Sequence, residues 1–84
     1  MDGITLSVIM ITYNHELFLS ESIQSILCQK VNFTYELIIA DDASRDNSQK
    51  IIQEYYSRNS NIIVPILRKQ NLGANENWFE AYKI

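Results

Sequence analysis

Residues 36–46 read ELIIADDASRD, and the side chains change abruptly from apolar to polar within this stretch. It opens with an apolar run, which is typical of a buried strand, and the run stops at the adjacent carboxylates of Asp41 and Asp42. Ser44 or Asp46 can then cap a following helix. The apolar residues on the inner side of that helix are Ile51, Ile52 and Tyr55. The stretch therefore predicts a strand, a polar turn and a helix.

The same order of elements occurs on the N-terminal side. Residues 4–11 are rich in β-branched and apolar residues, and they predict a largely buried strand that ends before Tyr13. From Glu16 the apolar residues recur at helical spacing, which predicts a helix of about three to four turns. Those residues are Leu19, Ile23, Ile26 and Leu27.

A third strand and a third helix are predicted on the C-terminal side. Residues 62–67 form the strand, and Pro65 favours an edge position because it cannot donate a ladder hydrogen bond. A polar loop over 68–73 leads to a helix over 75–84. Its large apolar side chains are Trp78, Phe79 and Tyr82. The sequence shows no capping signal after this helix, so we expect the domain to be incomplete at its C-terminus.

These elements predict an α/β fold within one domain, residues 1–84. The order β-α-β-α-β-α requires parallel strands joined by right-handed helical crossovers, which gives a Rossmann-like half-sheet in three layers. Ligands of such open sheets bind outside the carboxyl ends of the strands. The corresponding loops here are residues 12–16, 41–46 and 68–75.

The net charge and the cysteine content indicate which binding partners and which cellular compartment to expect. The formal net charge is −3, and the chain has no basic stripe, so we expect no nucleic-acid partner. Cys28 is the single cysteine and cannot form an internal disulfide, which favours a reducing cytoplasm. The apolar stretch near the N-terminus is too short to span a bilayer, so no transmembrane segment is expected.

Each of the three loops allows a functional and a structural interpretation. Tyr13 can stack on a base, or it can pack locally while Asn14 makes a turn. Asp41 and Asp42 repel each other, so a ligand or cation can compensate them, or a helix cap and solvent can. Arg68 can face a phosphate or remain solvated. His15 has no second ligand at metal-binding spacing.

Taken together, the three motifs resemble the N-terminal part of family 2 glycosyltransferases, the inverting enzymes with the GT-A fold. The matching stretches are residues 7–14 (SVIMITYN), 36–46 (ELIIADDASRD) and 71–73 (NLG), in the family's order and spacing. The resemblance extends from about Ile4 to Tyr82. It implies that the chain has a truncated GT-A fold and is the portion of the enzyme that binds a nucleotide sugar.

The resemblance also implies which residues bind the donor, a UDP-sugar. Tyr13 would stack on uracil, Asp42 would hydrogen-bond the base, and Ile11 and Thr12 would add backbone or hydroxyl contacts. The implied substrate-binding residues are Ile11, Thr12, Tyr13, Asn14, Glu16, Asp41, Asp42 and Arg68. The intact enzyme would transfer the sugar to a glycan acceptor in polysaccharide biosynthesis.

Two parts of the family's machinery are missing from the sequence. The Asp-x-Asp motif, which holds a divalent cation (Mg or Mn) in the intact enzyme, does not occur in the chain. The aspartate that acts as general base would lie beyond Ile84. The resemblance therefore assigns no catalytic residue and no metal site to these 84 residues, and we expect them to be inactive alone.

An alternative from another class is a noncatalytic interaction module that assembles through its exposed sheet edge. In either case we expect a homo-oligomer. A half-sheet leaves its first strand unpaired and an apolar patch open to water, with Trp78 and Phe79 at or near the contact. We expect the protein in the cytoplasm, or at the inner face of the membrane.

Overall fold

The computed structural model describes residues 4–29, 33–73 and 76–77. Strands and helices alternate along them, which confirms the predicted α/β class. The elements are β1 (Ile4–Thr12), α1 (Glu16–Leu27), β2 (Thr34–Asp41), α2 (Ser48–Arg58) and β3 (Ile63–Leu67). Glu76 and Asn77 are helical. The rest of the predicted third helix, with Trp78, Phe79 and Tyr82, lies outside the described residues.

The three strands form one parallel sheet in the order β1-β2-β3. Ile9 of β1 pairs with Ile38, and Ile39 pairs with Pro65 of β3. Because β2 lies between the other two strands, its apolar run from Leu37 is buried. Among the described strands β3 lies at the edge, the position that the proline predicted.

Side chains of β2 alternate between the two faces of the sheet. Leu37 and Ile39 pack with buried residues of both helices, whereas Ile38 and Ala40 pack with strand residues on the opposite face. The helix-side cluster is completed by Leu19, Ile23, Ile52 and Ile63. Both helices therefore lie on one face, as two successive crossovers of the same hand require.

The start of α2 differs from the prediction. The helix begins at Ser48 with Asn47 at the N-cap position, so neither Ser44 nor Asp46 is the cap. Ser44 is unavailable because its hydroxyl hydrogen-bonds the Asp41 carboxylate. Asp46 still accepts a hydrogen bond from the Ser48 N–H at 2.9 Å, and it thereby satisfies one free donor of the first turn.

Candidate functional site

An open cavity of about 540 Å³ lies at the carboxyl ends of β1 and β2. Its lining residues are Ile11, Tyr13, His15, Asp42, Asn71 and Gly73. Ile11 belongs to β1, and the other five come from all three of the loops that the topology places at this edge of the sheet. The cavity is thus where an open α/β sheet binds its ligand.

The Asp41 carboxylate does not line this cavity, and it accepts its hydrogen bonds from protein donors. Its side chain has no exposed surface. Oδ1 accepts hydrogen bonds from the hydroxyls of Thr12 and Ser44 at 2.6 and 2.5 Å. Oδ2 accepts from the Ser44 N–H at 2.8 Å and from Gln49 Nε2 at 2.9 Å. These donors compensate the buried charge without a ligand or a cation.

Asp42 is also buried, but its carboxylate holds a different loop. Oδ1 accepts the Leu72 N–H at 2.6 Å and Oδ2 accepts the Gly73 N–H at 2.8 Å. Gly73 has a φ of 85°, in the left-handed region that favours glycine. A carboxylate offers about four acceptor sites, so Asp42 retains acceptor capacity toward the cavity.

Asn14 fixes the loop that carries Tyr13. Its N–H donates to the Ser44 hydroxyl and its Oδ1 accepts the Arg45 N–H, both at 2.8 Å. The φ of Asn14 is 54°, a left-handed conformation that asparagine tolerates better than most residues. Tyr13 itself is 40% exposed at the cavity. Asn14 therefore acts as a bridge between loops that presents the tyrosine ring.

Glu16 joins the same loops at the start of α1. Its N–H donates to Asp46 Oδ2 at 3.2 Å, and its own carboxylate accepts from Asn47 Nδ2 at 3.3 Å. Burial of Asp46 opposes its ionisation, but hydrogen bonds from the Ser48 hydroxyl and from backbone N–H groups outweigh burial. They hold the pKa of Asp46 below its ordinary value.

Arg68 points toward Asn77. Its Nε donates to Asn77 Oδ1 at 2.6 Å, and Nη2 donates to the Asn77 carbonyl at 3.2 Å. Asn77 is fully buried and donates from Nδ2 to the Ala40 carbonyl at 2.9 Å. The guanidinium thus anchors the segment after β3 to the end of β2.

The predicted substrate-binding residues fall into two groups. Those that line the cavity are Ile11, Tyr13 and Asp42. Those that lie outside its lining and hydrogen-bond other protein groups are Thr12, Asn14, Glu16, Asp41 and Arg68. Sequence reasoning missed Gln49, and it considered His15 only as a metal ligand. No motif marks either residue, although His15 directly follows the Tyr13-Asn14 pair.

The described residues do not fit a divalent cation. Within them, no group of three or more histidine, cysteine, aspartate or glutamate side chains could hold a metal ion. Asp41 and Asp42 are adjacent in sequence, but their oxygens accept from separate sets of donors.

Over the described residues, no helix has the length and apolar character needed to cross a membrane.

Curated relatives cover most of this chain. It is 40% identical to the uncharacterized protein Rv1520 of Mycobacterium tuberculosis over 73 residues, which are 87% of this chain and 21% of that protein. It is 45% identical to the putative glycosyltransferase EpsE of Bacillus subtilis over 69 residues, which are 82% of this chain and 24% of that protein. It therefore spans about a fifth to a quarter of the length of these relatives.

A solved structure shows the same fold. The chain superposes with a TM-score of 0.81 on a mannosyltransferase from Pyrobaculum calidifontis in complex with GDP-Man and Mn²⁺. The identity is 18%, and the match covers 93% of this chain and 23% of that one. The model of the family described as glycosyl transferase family 2 matches residues 7–84. The chain therefore belongs to glycosyl transferase family 2, and its fold is the N-terminal part of a GT-A fold.

Proposed function

We propose that this chain binds the nucleotide of a UDP-sugar in the cavity at the carboxyl ends of β1 and β2. The whole protein would then transfer the sugar to a glycan acceptor. One observation carries the proposal: the exposed ring of Tyr13 and the carboxylate of Asp42 line the same cavity. The first offers a stacking surface and the second an acceptor.

The chemistry of these two groups selects the class of ligand. An aromatic ring stacks on any base, a contact worth about 1–3 kcal/mol in single-stranded nucleic-acid complexes. An ionised carboxylate accepts hydrogen bonds but donates none. It therefore suits a nucleobase, since uracil and guanine present a ring N–H, and cytosine and adenine an amino group, to such an acceptor. UDP is our proposed donor nucleotide, and GDP is the comparison that tests the base.

Transfer itself needs groups that the described residues do not supply. The bond between the anomeric carbon and the diphosphate must break, the acceptor oxygen must bond that carbon, and a base must take the hydroxyl proton. We propose that the 84-residue chain binds the nucleotide without turning it over.

We also propose that the chain acts in the cytoplasm or at the inner face of the membrane, and that it self-associates. Cys28 is an exposed free thiol, which suits a reducing compartment. Among the described strands, β1 pairs only with β2. Phe18 on α1 lines one cavity with Met10 and Thr12 of β1 and is 67% exposed. A free strand edge next to apolar side chains favours pairing with a second copy.

Calorimetric titration with UDP tests the proposed site, using two tyrosines of equal exposure. Tyr13 and Tyr56 are each 40% exposed, but Tyr56 lies on α2. We expect Tyr13→Ala to weaken UDP binding about tenfold or more, and Tyr56→Ala to leave the affinity unchanged. Asp42→Ala should abolish binding. No binding by the unsubstituted chain, or equal affinities for the two tyrosine variants, would contradict the proposal.

A further inference from the structure

Gln49 joins the ends of two strands through a single amide group. It is the second residue of α2 and is half-buried. Its Nε2 donates to Asp41 Oδ2 at 2.9 Å and to the Arg68 carbonyl at 2.9 Å. Asp41 ends β2, and Arg68 directly follows β3. Both hydrogens of the amide nitrogen are therefore used, one for each strand end.

The Asp41 acceptor connects Gln49 to the loop that carries Tyr13. Asp41 also accepts the hydroxyls of Thr12 and Ser44, and the Ser44 hydroxyl in turn accepts the Asn14 N–H. A shift of the Asp41 carboxylate would therefore displace the side chains that hold this loop in place. Hydrogen bonds in such a network polarise one another, so the loss of one donor affects the others.

The second acceptor connects Gln49 to the loop that closes on Asp42. Arg68 begins the segment that reaches Leu72 and Gly73, whose N–H groups bind the Asp42 carboxylate. The backbone of Arg68 also returns to β2, because its N–H donates to the Asp41 carbonyl at 3.1 Å. Gln49 thus fixes this segment from the side of α2, which is a rigid element.

We propose that Gln49 is a positioning residue of the nucleotide site, an inference that rests on the proposed function. Its two hydrogen bonds go to Asp41 and Arg68, neither of which lines the cavity. It holds Asp41 and the Arg68 carbonyl at a fixed separation, so that the Tyr13 loop and the Asp42 loop face one cavity. The role needs a side chain of this length with two donors, which of the uncharged side chains only glutamine supplies.

The first test removes both donors and keeps the length. Gln49→Met removes one of the hydrogen bonds to the Asp41 carboxylate and the side-chain hydrogen bond to the Arg68 carbonyl, and we expect the UDP dissociation constant to rise about tenfold. Gln53→Met is the matched control, because Gln53 lies exposed on the same helix. Circular dichroism establishes that each variant is folded at the titration temperature.

The second test provides a readout that a purely structural role would not change. Gln49→Glu places a second carboxylate against Asp41, and two such groups in a buried site repel each other unless they share a proton. The Arg68 carbonyl, the other acceptor, then also lacks its donor. We expect UDP affinity relative to the unsubstituted chain to be low at pH 8 and to recover toward pH 5. Gln53→Glu should show no such recovery.

The outcomes separate this inference from the proposed function. If the unsubstituted chain does not bind UDP, both are overturned. If it binds and Gln49→Met binds equally well, or loses no more affinity than Gln53→Met when both are weakened, the role of Gln49 alone is overturned. Should Gln49→Met fail to fold, Gln49→Glu decides: an affinity ratio that does not change with pH overturns the inference.

Discussion

Replacement of Thr12 by valine tests the buried hydrogen-bond network around Asp41, because it removes one donor and keeps the shape of the side chain. Thr12 is 2% exposed, Asp41 has no exposed surface, and 2.6 Å separates the hydroxyl oxygen from Asp41 Oδ1. Hydrogen bonds to charged groups contribute about 1.5–3 kcal/mol. Asp41 keeps its donors from Ser44 and Gln49, so we expect a loss of about 1.5–2 kcal/mol.

Urea unfolding followed by circular dichroism measures this loss. The matched control is Thr34→Val, the same substitution at an exposed position where β2 begins. We expect the control to change the free energy of unfolding by less than about 0.5 kcal/mol. Equal stability of Thr12→Val and the unsubstituted chain, or an equal loss in Thr34→Val, would refute the reasoning about the Asp41 network.

Four further predictions follow from particular contacts. Because hydrogen bonds hold the pKa of Asp46 below its ordinary 3.8, its contribution to stability is complete above that value and is lost as pH falls through the lower folded-state pKa. In urea unfolding, Asp46→Asn should reduce the loss of unfolding free energy that the unsubstituted chain shows as pH falls. An unchanged loss would contradict the attribution to Asp46. Ala43 has a φ of 61°, so Ala43→Gly should raise the free energy of unfolding by about 0.5 kcal/mol. This is the backbone strain relieved in the folded state minus the conformational entropy that glycine adds to the unfolded chain. A lower melting temperature would argue against strain at this residue. UDP and uridine should bind the chain with similar affinity and without magnesium dependence in calorimetry, and a strong requirement for magnesium would reveal a metal site that we have not identified. Light scattering at micromolar concentration should show self-association that Phe18→Lys weakens more than Phe33→Lys, whereas a stable monomer would exclude it.

The strands and helices could be predicted because burial leaves a simple pattern in the sequence. β2 lies between two strands and is covered on both faces, so its run from Leu37 to Ala40 is continuously apolar. In α1 only one face is buried, and the apolar residues recur every three or four positions. The location of the site followed from topology alone, because parallel strands bring their carboxyl ends to one edge.

The partners of individual side chains could not be predicted in the same way. Asp41 and Asp42 are chemically identical neighbours, yet one binds hydroxyl and amide side chains and the other binds backbone N–H groups. Strand alternation offers a partial signal, since Asp41 shares its parity with Leu37 and Ile39 on the helix side. Applied to the aspartate pair, it would have assigned Asp41 to the support of the site.

Choices among equivalent polar groups account for the remaining differences. Ser44 and Asp46 are both good capping residues by type, and the sequence gives no reason for the hydroxyl of Ser44 to bind Asp41 instead. Arg68 has a long side chain whose direction depends on a partner nine positions later, Asn77. Gln49 carries no periodic or motif signal, so only the three-dimensional arrangement shows that it joins two strand ends.

The most direct test of the central claim is a titration of the ¹⁵N-labelled chain with UDP, followed by two-dimensional NMR. We predict the largest shift changes at the amides of Tyr13, Asn71 and Gly73, which line the cavity together with Asp42. Phe33, at the opposite end of the sheet before β2, should not respond. Shifts concentrated near Phe33, or no shift at saturating UDP, would contradict the claim that this cavity binds the donor nucleotide.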